Sequence, residues 1–202
     1  MSKGTVLIVS GPSGSGKDTI LKKVFEAIPD IKFSISSITR PMRAGEIEGE
    51  KYNFVSVETF LDMLENDRLL EHNKYLENYY GTPREPVEKV LNEGGEIVIE
   101  VDVNGAEQIR SKLPEAVSVF IMPPSFEILK SRLSGRGTES EELVNKRLGE
   151  ALREISKAPE YDYIVVNDDL SEAVDDFVSI IKAERNKTNK NIHLVNEVLS
   201  KC

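Results

Sequence analysis

The stretch LIVSGPSGSGKDTILKKV, residues 7–24, constrains the fold more than any other part of the 202-residue sequence. An apolar run typical of a buried strand stops at a glycine-rich turn, and apolar residues at helical spacing follow Lys17. Such a turn lets several backbone N–H groups face one anion, and the start of the following helix adds the positive end of its dipole. The pattern G-x-x-x-x-G-K between a strand and a helix therefore predicts a loop that binds nucleotide phosphates.

The residue after the lysine departs from the usual pattern, in which a Ser or Thr hydroxyl binds Mg²⁺. Here that residue is Asp18, and Thr19 follows it with a hydroxyl for the α-phosphate side of the loop. The carboxylate of Asp18 either serves only as a favourable acid at the helix start or binds Mg²⁺, which takes oxygen ligands. We favour direct or water-mediated metal contact, because a divalent ion held between the carboxylate and the phosphates offsets their repulsion.

The overall charge limits the class of ligand. With 26 Lys and Arg against 35 Asp and Glu, the formal net charge is −9. A chain this acidic is a poor candidate for non-specific binding to nucleic acid or to a membrane surface, since both depend on basic fields. Any basic site must be local. The single cysteine, Cys202, has no partner for an internal disulfide, and a reducing cytoplasm is the expected location.

Strand patterns alternate with helical patterns along most of the chain. The strand patterns cover residues 5–10, 96–102, 116–122 and 161–167, and the helical patterns cover 18–28, 82–95, 125–133, 138–155 and 170–184. This alternation predicts an α/β fold with a doubly wound parallel sheet flanked by helices. Thr82 and Glu85 have the spacing of a capping box, which predicts that Thr82 caps the helix over 82–95.

Residues 34–81 break this rhythm and predict an inserted lobe with short strands and one helix, over 57–65. Within the lobe, Arg40 and Arg43 stand three apart and Tyr52 follows. Two guanidinium groups and a phenol suit a phosphate monoester, because arginine donates bidentately and stays charged. Taken alone, arginines and tyrosines in a loop are more often solvated surface, so both interpretations stay open here.

Several stretches, in this order, resemble guanylate kinases of the nucleoside-monophosphate kinase family: GPSGSGK, SSITRPMRAGE running into YNFV, ENYYGTP, EVDVNGA, LSGRGTESEE running into KRL, and YDYIVVNDDL. The resemblance covers nearly all of residues 5–185. It implies a guanylate kinase-like domain over 1–188. The expected parts are a P-loop kinase core (1–33, 83–132 and 150–188), a GMP-binding lobe (34–82), a mobile lid (133–149) and a polar, loosely attached tail (189–202).

The resemblance also implies roles for individual residues. The cations expected at the transferring phosphates are Lys17, Arg40, Arg43, Arg132 and Arg147. The residues expected to hold ATP are Gly11, Pro12, Ser13, Gly14, Ser15, Gly16, Lys17, Asp18, Thr19, Arg136 and Asn167. The residues expected to hold GMP are Ser36, Arg40, Arg43, Tyr52, Glu71, Tyr80, Thr82 and Asp102. Asp18 and Asp102 are the candidate Mg²⁺ ligands, with Glu100 near the same region. Asp102 has a plainer alternative, a buried acid satisfied by backbone N–H groups.

The chemistry of guanine agrees with these roles. Its N1–H and 2-amino groups are adjacent donors, which the carboxylate of Glu71 can accept together, and the hydroxyls of Ser36 and Thr82 suit the O6 edge. Adenine lacks both donors and would leave that carboxylate buried and unpaired. The implied reaction, in purine nucleotide metabolism, is ATP + GMP ⇌ ADP + GDP with Mg²⁺, with dGMP as a further acceptor and no covalent enzyme intermediate.

Two other functions stay open at this stage. One is a guanylate kinase-like binding scaffold with weak catalysis, which is expected to lack Lys17 or the arginines of the lid region, Arg132, Arg136 and Arg147. The other is a kinase of another small phosphate such as a ribose bisphosphate, against which Glu71, Tyr80 and Thr82 favour guanine. The sequence does not predict an oligomeric state.

Overall fold

The computed structural model describes residues 4–135 and 141–201. The elements, in chain order, are β1 (Thr5–Ser10), α1 (Lys17–Ala27), β2 (Lys32–Phe33), β3 (Ser36–Ile38), β4 (Tyr52–Phe54), α2 (Val57–Glu65), β5 (Leu69–Tyr75), β6 (Asn78–Pro83), α3 (Arg84–Asn92), β7 (Glu96–Glu100), α4 (Val103–Lys112), β8 (Val117–Met122), α5 (Phe126–Ser134), α6 (Glu141–Ile155), β9 (Tyr163–Val166), α7 (Leu170–Arg185) and α8 (Thr188–Leu199), with a short 3₁₀ turn at Ala158–Glu160. No helix in these ranges has the length and apolar composition needed to cross a bilayer.

The larger sheet has the strand order β2–β7–β1–β8–β9. Strand β2 pairs with β7 in parallel, and β8 pairs with β9 in parallel. All six residues of β1 are buried, as the apolar sequence TVLIVS predicts for a strand in the interior of a sheet. The predicted α/β class with a parallel sheet is confirmed.

The chain divides into two compact units, and β1 contributes residues to both. One unit comprises Gly4–Ile8 and Ile31–Val117. It contains the smaller sheet, of order β4–β3–β6–β5, in which β6 runs antiparallel to both β3 and β5. Phe60 of α2 is fully buried here and stacks on Tyr79, so the predicted helix over 57–65 covers this sheet.

The other unit comprises Val9–Asp30 and the chain from Ser118 onward. Helix α1 packs against α7, and α5 packs against α6. The buried face of α1 consists of Ile20, Leu21 and Val24, at the helical spacing that the sequence predicts.

The helix predicted over 82–95 begins later than expected. Helix α3 starts at Arg84, and its N-cap, Pro83, makes no side-chain cap hydrogen bond. The antiparallel pairing of β5 with β6 continues to Pro83, which keeps the backbone extended at Thr82. The Thr82 hydroxyl donates to Oε1 of Glu71 at 2.8 Å. The predicted capping role of Thr82 is therefore wrong, because strand pairing and the neighbouring carboxylate determine its conformation.

The strand predicted over 96–102 ends at Glu100, and a helix that the sequence analysis missed follows it. Asp102 is the N-cap of α4, and its Oδ1 accepts from the backbone N–H of Gly105 at 2.8 Å. A signal was present, since an aspartate precedes apolar residues at helical spacing, Val103, Ala106 and Ile109, all of them buried.

The segment expected to be a loosely attached polar tail is mostly helical, in α8. Two lysines at its start lie near the buried carboxylate of Glu184 in α7, with Lys187 Nζ at 2.8 Å from Oε1 and Lys190 Nζ at 3.9 Å from Oε2. No described residue of α8 is buried. Charge pairing with α7 therefore accounts for the position of this helix better than apolar packing does.

Candidate active site

The loop between β1 and α1 has its shape because two of its positions require glycine. Gly11 has φ +152°, and a Cβ there would lie 2.2 Å from the backbone oxygen of Ile121. Gly16 is the N-cap of α1 with φ +91°, and a Cβ there would lie 2.2 Å from Nδ2 of Asn167. A side chain at either position would push the loop away from its neighbours. The glycines thus place the positive end of α1 at the loop.

Lys17 lies back over this loop. Its Nζ donates to the backbone oxygens of Gly11 at 2.5 Å and Pro12 at 3.3 Å. The ammonium group is part-buried at these two carbonyl oxygens. A charged phosphate oxygen is a stronger acceptor for an ammonium group than a carbonyl oxygen is. This arrangement keeps a cation at the place where the sequence predicts bound phosphates.

Three residues from later parts of the chain, all expected at ATP, are connected to the same loop, two of them directly. Asn167 Nδ2 donates to the backbone oxygen of Ser15 at 2.7 Å. Arg132 Nη2 donates to the backbone oxygen of Asn167 at 3.0 Å. Arg147 Nη2 donates to Oγ of Ser13 at 2.7 Å. Arg147 therefore contacts the loop directly, and Arg132 is connected to it through Asn167.

The two arginines stand on helices that share one apolar core. Arg132 belongs to α5 and Arg147 to α6. The buried residues between these helices are Leu129, Leu133, Val144, Leu148 and Ala151. Since this core fixes one helix against the other, it also fixes the spacing of the two arginines. Arg136, predicted to contact ATP, lies outside the described residues.

The unit that contains the smaller sheet has a cavity of about 340 Å³. The residues that line it are Ser36, Tyr52, Glu71, Asn73, Tyr75, Tyr80, Gly81, Glu100, Val101 and Asp102. Five of them are predicted GMP ligands: Ser36, Tyr52, Glu71, Tyr80 and Asp102. Thr82, fully buried, lies behind Glu71 and donates to it.

Asn73 and Tyr75 also line this cavity, and the sequence analysis did not identify them. They follow Glu71 at intervals of two along β5, and alternate residues of a strand share one face. The period-2 signal was available but depended on recognising β5 as a strand.

Among the acids that line the cavity, Glu71 has the pKa most changed from its ordinary value. Its side chain is 5% exposed. Burial raises the pKa of its carboxyl to about 7; the hydrogen bond from Thr82 acts against this rise, the charge of Asp102 adds to it, and Lys112 opposes it. Burial makes this carboxylate costly to ionise unless hydrogen-bond donors compensate its charge, so a ligand with two adjacent N–H donors would be favoured here.

Asp102 is exposed and has partners on both carboxylate oxygens. Besides the bond from Gly105 to Oδ1, its Oδ2 accepts from Nδ2 of Asn73 at 2.9 Å. The alternative prediction for Asp102, a buried acid satisfied by backbone N–H groups, is wrong about burial because the residue is exposed. It is right that a backbone N–H group binds the carboxylate, because the side chain caps α4. Nearby, Oε2 of Glu100 lies 3.3 Å from Nζ of Lys51.

Arg40 and Arg43 occupy the loop between β3 and β4. Arg40 is buried and forms a two-point ion pair with Glu46, a residue the sequence analysis did not single out. Arg43 is exposed. The cavity-lining residues Tyr52 and Tyr80 both lie beside Arg40, the first with its ring 5.5 Å from the guanidinium and the second in electrostatic interaction with it, so this arginine lies beside the cavity.

Comparison with known proteins gives one consistent result. A family model described as guanylate kinase matches residues 3–184. The guanylate kinase of Photobacterium profundum is 47% identical over 202 residues, which cover 99% of this chain and 97% of the relative. That of Caldanaerobacter subterraneus is 46% identical over 189 residues, or 94% and 92% of the two chains. The crystal structure of guanylate kinase from Anaplasma phagocytophilum superposes with a TM-score of 0.77 at 35% identity, covering 94% of this chain and 90% of that one.

Proposed function

The chain belongs to the guanylate kinase family, and we propose that it transfers the γ-phosphoryl group of ATP to GMP, and to dGMP, giving GDP or dGDP. One observation carries this proposal: the same chain has a glycine loop contacted by a lysine and an arginine, and a nucleotide-sized cavity with a buried carboxylate. Neither a peptide-binding scaffold nor a ribose bisphosphate kinase needs both features.

Phosphoryl transfer requires little from a protein beyond alignment and charge compensation. We assign Lys17 and Arg147 to the phosphates of ATP because both contact the loop between β1 and α1, and Arg132 because it bonds to Asn167, which contacts that loop. We assign Arg40 and Arg43 to the phosphate of GMP. An ionised phosphate is already a nucleophile, so no general base is needed, and the cations offset the repulsion between the two substrates.

Mg²⁺ supplies further charge compensation at the transferring phosphates. Within residues 4–135 and 141–201, no three His, Cys, Asp or Glu side chains are grouped to hold a metal ion. This fits Mg²⁺, which is commonly bound by one or two carboxylates together with substrate phosphates and water. Asp18 is exposed in the first turn of α1 and suits such a site. Asp102 is a weaker candidate, because α4 and Asn73 already use its oxygens.

We expect Asp18→Ala to raise the Mg²⁺ concentration for half-maximal activity by about tenfold. Asp18→Ser should raise it much less, because the hydroxyl is the usual oxygen ligand at this position. Titrating MgCl₂ at fixed ATP and GMP measures both. Superimposable titrations for the two variants and the parent protein would show that Asp18 does not bind Mg²⁺ and acts only as a favourable acid at the start of α1.

Recognition of guanine is predicted to depend on pH through Glu71. The carboxyl group is neutral below its pKa of about 7, and only the ionised form accepts both guanine donors. We expect the Kd of guanosine to be about tenfold higher at pH 6 than at pH 8. Guanosine is the probe because it has no phosphate that titrates in this range. A pH-independent Kd would show that Glu71 does not read the base.

Release of ADP with different acceptors tests the proposed function. We expect rapid turnover with GMP and dGMP, and a kcat/KM for AMP lower by about 10³-fold or more, since the buried carboxylate rejects a base that lacks both donors. UMP and ribose bisphosphate should give little ADP. Binding of GMP without turnover would support the scaffold, and turnover with ribose bisphosphate would support the other kinase.

We further propose that the reaction takes place in the cytoplasm, because a single cysteine suits a reducing compartment.

A further inference from the structure

Glu46 connects the two arginines that the proposed function assigns to the GMP phosphate. Its Oε1 accepts from Nη2 of Arg40 at 2.5 Å, and its Oε2 accepts from Nη1 of Arg40 at 2.7 Å. The same Oε2 accepts from the backbone N–H of Arg43 at 2.7 Å. One carboxylate thus fixes the side chain of the first arginine and the backbone of the second.

The guanidinium of Arg40 has little freedom to turn. Its side chain is 9% exposed, and its Cζ lies 5.5 Å from the ring centroids of both Tyr52 and Phe54. Nη1 also donates to the backbone oxygen of Pro41 at 3.0 Å, and the guanidinium interacts electrostatically with the hydroxyl of Tyr80. The group is therefore oriented before any ligand arrives.

The pair with Glu46 leaves part of the guanidinium for a ligand. A guanidinium carries five N–H groups, and Glu46 and Pro41 take both on Nη1 and one on Nη2. The edge formed by Nε and the second Nη2 hydrogen is a fork that matches a phosphate bidentately. Since Tyr52 and Tyr80 line the cavity and both lie beside this guanidinium, a phosphate in the cavity is within reach of the fork.

The backbone at Arg43 is held by the same residue from both sides. Besides the bond to Oε2, the backbone N–H of Glu46 donates to the backbone oxygen of Arg43 at 3.1 Å. The backbone that carries the exposed side chain of Arg43 is thus held in a hydrogen-bonded turn. Rigid attachment lowers the entropy that Arg43 loses when it binds a ligand.

We propose that Glu46 is a positioning residue for the phosphate of GMP: it orients Arg40 and fixes the turn at Arg43 without touching the nucleotide. The inference rests on the proposed function, which places the phosphate at these arginines. Hydrogen bonds from the Arg40 side chain and from the Arg43 backbone lower the pKa of Glu46 to about 2, so it stays ionised wherever the enzyme is active. The opposite role, a carboxylate that competes with the phosphate for Arg40, predicts the reverse effect on affinity.

Glu46→Gln in the full chain tests the proposal, because it keeps the size of the side chain but presents an NH₂ group to the guanidinium. We expect the Kd of GMP, measured by calorimetry, to rise about 10- to 30-fold. The Kd of guanosine should change less than about twofold, since Glu46 acts only through the phosphate-binding arginines. The KM for GMP should rise in parallel with its Kd, and the KM for ATP should not change.

Glu48→Gln is the matched control. Glu48 stands in the same loop, is exposed, and accepts from the backbone N–H of Phe54 at 3.1 and 3.2 Å. Its variant removes the same charge, so we expect it to change the Kd of GMP by less than about twofold. Glu46→Asp keeps the charge and should recover part of the affinity that Glu46→Gln loses.

A double variant separates positioning from general disruption of the loop. In an Arg40→Ala background, Glu46→Gln should cost much less GMP affinity than in the parent protein, because its main partner is absent. Unchanged or tighter GMP binding by Glu46→Gln, a parallel loss of guanosine binding, or an equal loss in the Arg40→Ala background would overturn the proposal. A parent protein that binds guanosine but not GMP would instead refute the proposed phosphate site.

Discussion

Replacing Lys17 with alanine is expected to lower kcat for GMP phosphorylation by about 10³-fold, equivalent to about 4 kcal/mol of transition-state stabilisation. The ammonium of Lys17 lies at the phosphate loop, 2.5 Å from the backbone oxygen of Gly11. Charge in the transition state spreads over the oxygens of the transferring phosphoryl group, and a cation held there stabilises it. The Kd of GMP should change little, because the predicted GMP ligands belong to other parts of the chain.

Lys22→Ala is the control for Lys17. Lys22 stands on the same helix, α1, and is exposed, so its loss removes an equal charge away from the loop. We expect steady-state rates with saturating ATP and GMP to stay near those of the parent protein. A loss smaller than about tenfold for Lys17→Ala would mean that the lysine only shapes the loop.

Replacing Glu71 with glutamine is expected to lower kcat/KM for GMP by about 10³-fold and to change that for AMP much less. A glutamine oxygen accepts one guanine donor, while its NH₂ group opposes the other. Thr82, which donates to this carboxylate at 2.8 Å, would remain in place. The measurement is the ratio of kcat/KM values for the two nucleotides, with Glu77→Gln, an exposed acid of the same hairpin, as the control. An unchanged ratio would refute the assigned role.

The same substitution should stabilise the empty protein at high pH. Because the folded-state pKa of Glu71, about 7, lies above its ordinary value of 4.5, the folded state binds more protons between these pH values. The free energy of unfolding contributed by this group therefore falls as pH rises through that window. Glu71→Gln should have a higher Tm than the parent protein at pH 8 and a similar one at pH 4. A lower Tm at pH 8 would show that the carboxylate is well satisfied without a ligand.

Several elements that local patterns determine were predicted correctly. Strand β1, helix α1 and helix α2 follow from apolar periodicity and glycine placement, because burial of one face decides each of them. Thr82 shows the limit of such reasoning. Its spacing to Glu85 predicts a cap, but pairing between β5 and β6, which no local pattern shows, keeps it in a strand.

The candidate site shows the same division. The glycine loop could be identified from its own residues, since one short segment contains the whole motif. The role of Glu46 could not be identified in this way, because it depends on the conformation of the loop, which places the carboxylate beside Arg40, six residues earlier. A period-2 pattern could have placed Asn73 on the same face as Glu71. Its bond to Asp102 could not be predicted from a local pattern, because the two residues are 29 apart in the sequence. Whether Asp18 takes the place of the usual hydroxyl toward Mg²⁺ depends on a ligand and stays a prediction.

Transfer of label from ATP tests the central claim most directly, namely that one chain passes a phosphoryl group straight from ATP to GMP. The experiment uses ATP made chiral at the γ-phosphorus with oxygen isotopes, and analyses the configuration of the β-phosphorus in the GDP formed. Direct in-line transfer predicts one GDP for each ADP, with inversion at phosphorus. Retention of configuration, label on the protein, or release of the label as inorganic phosphate without GDP would contradict it.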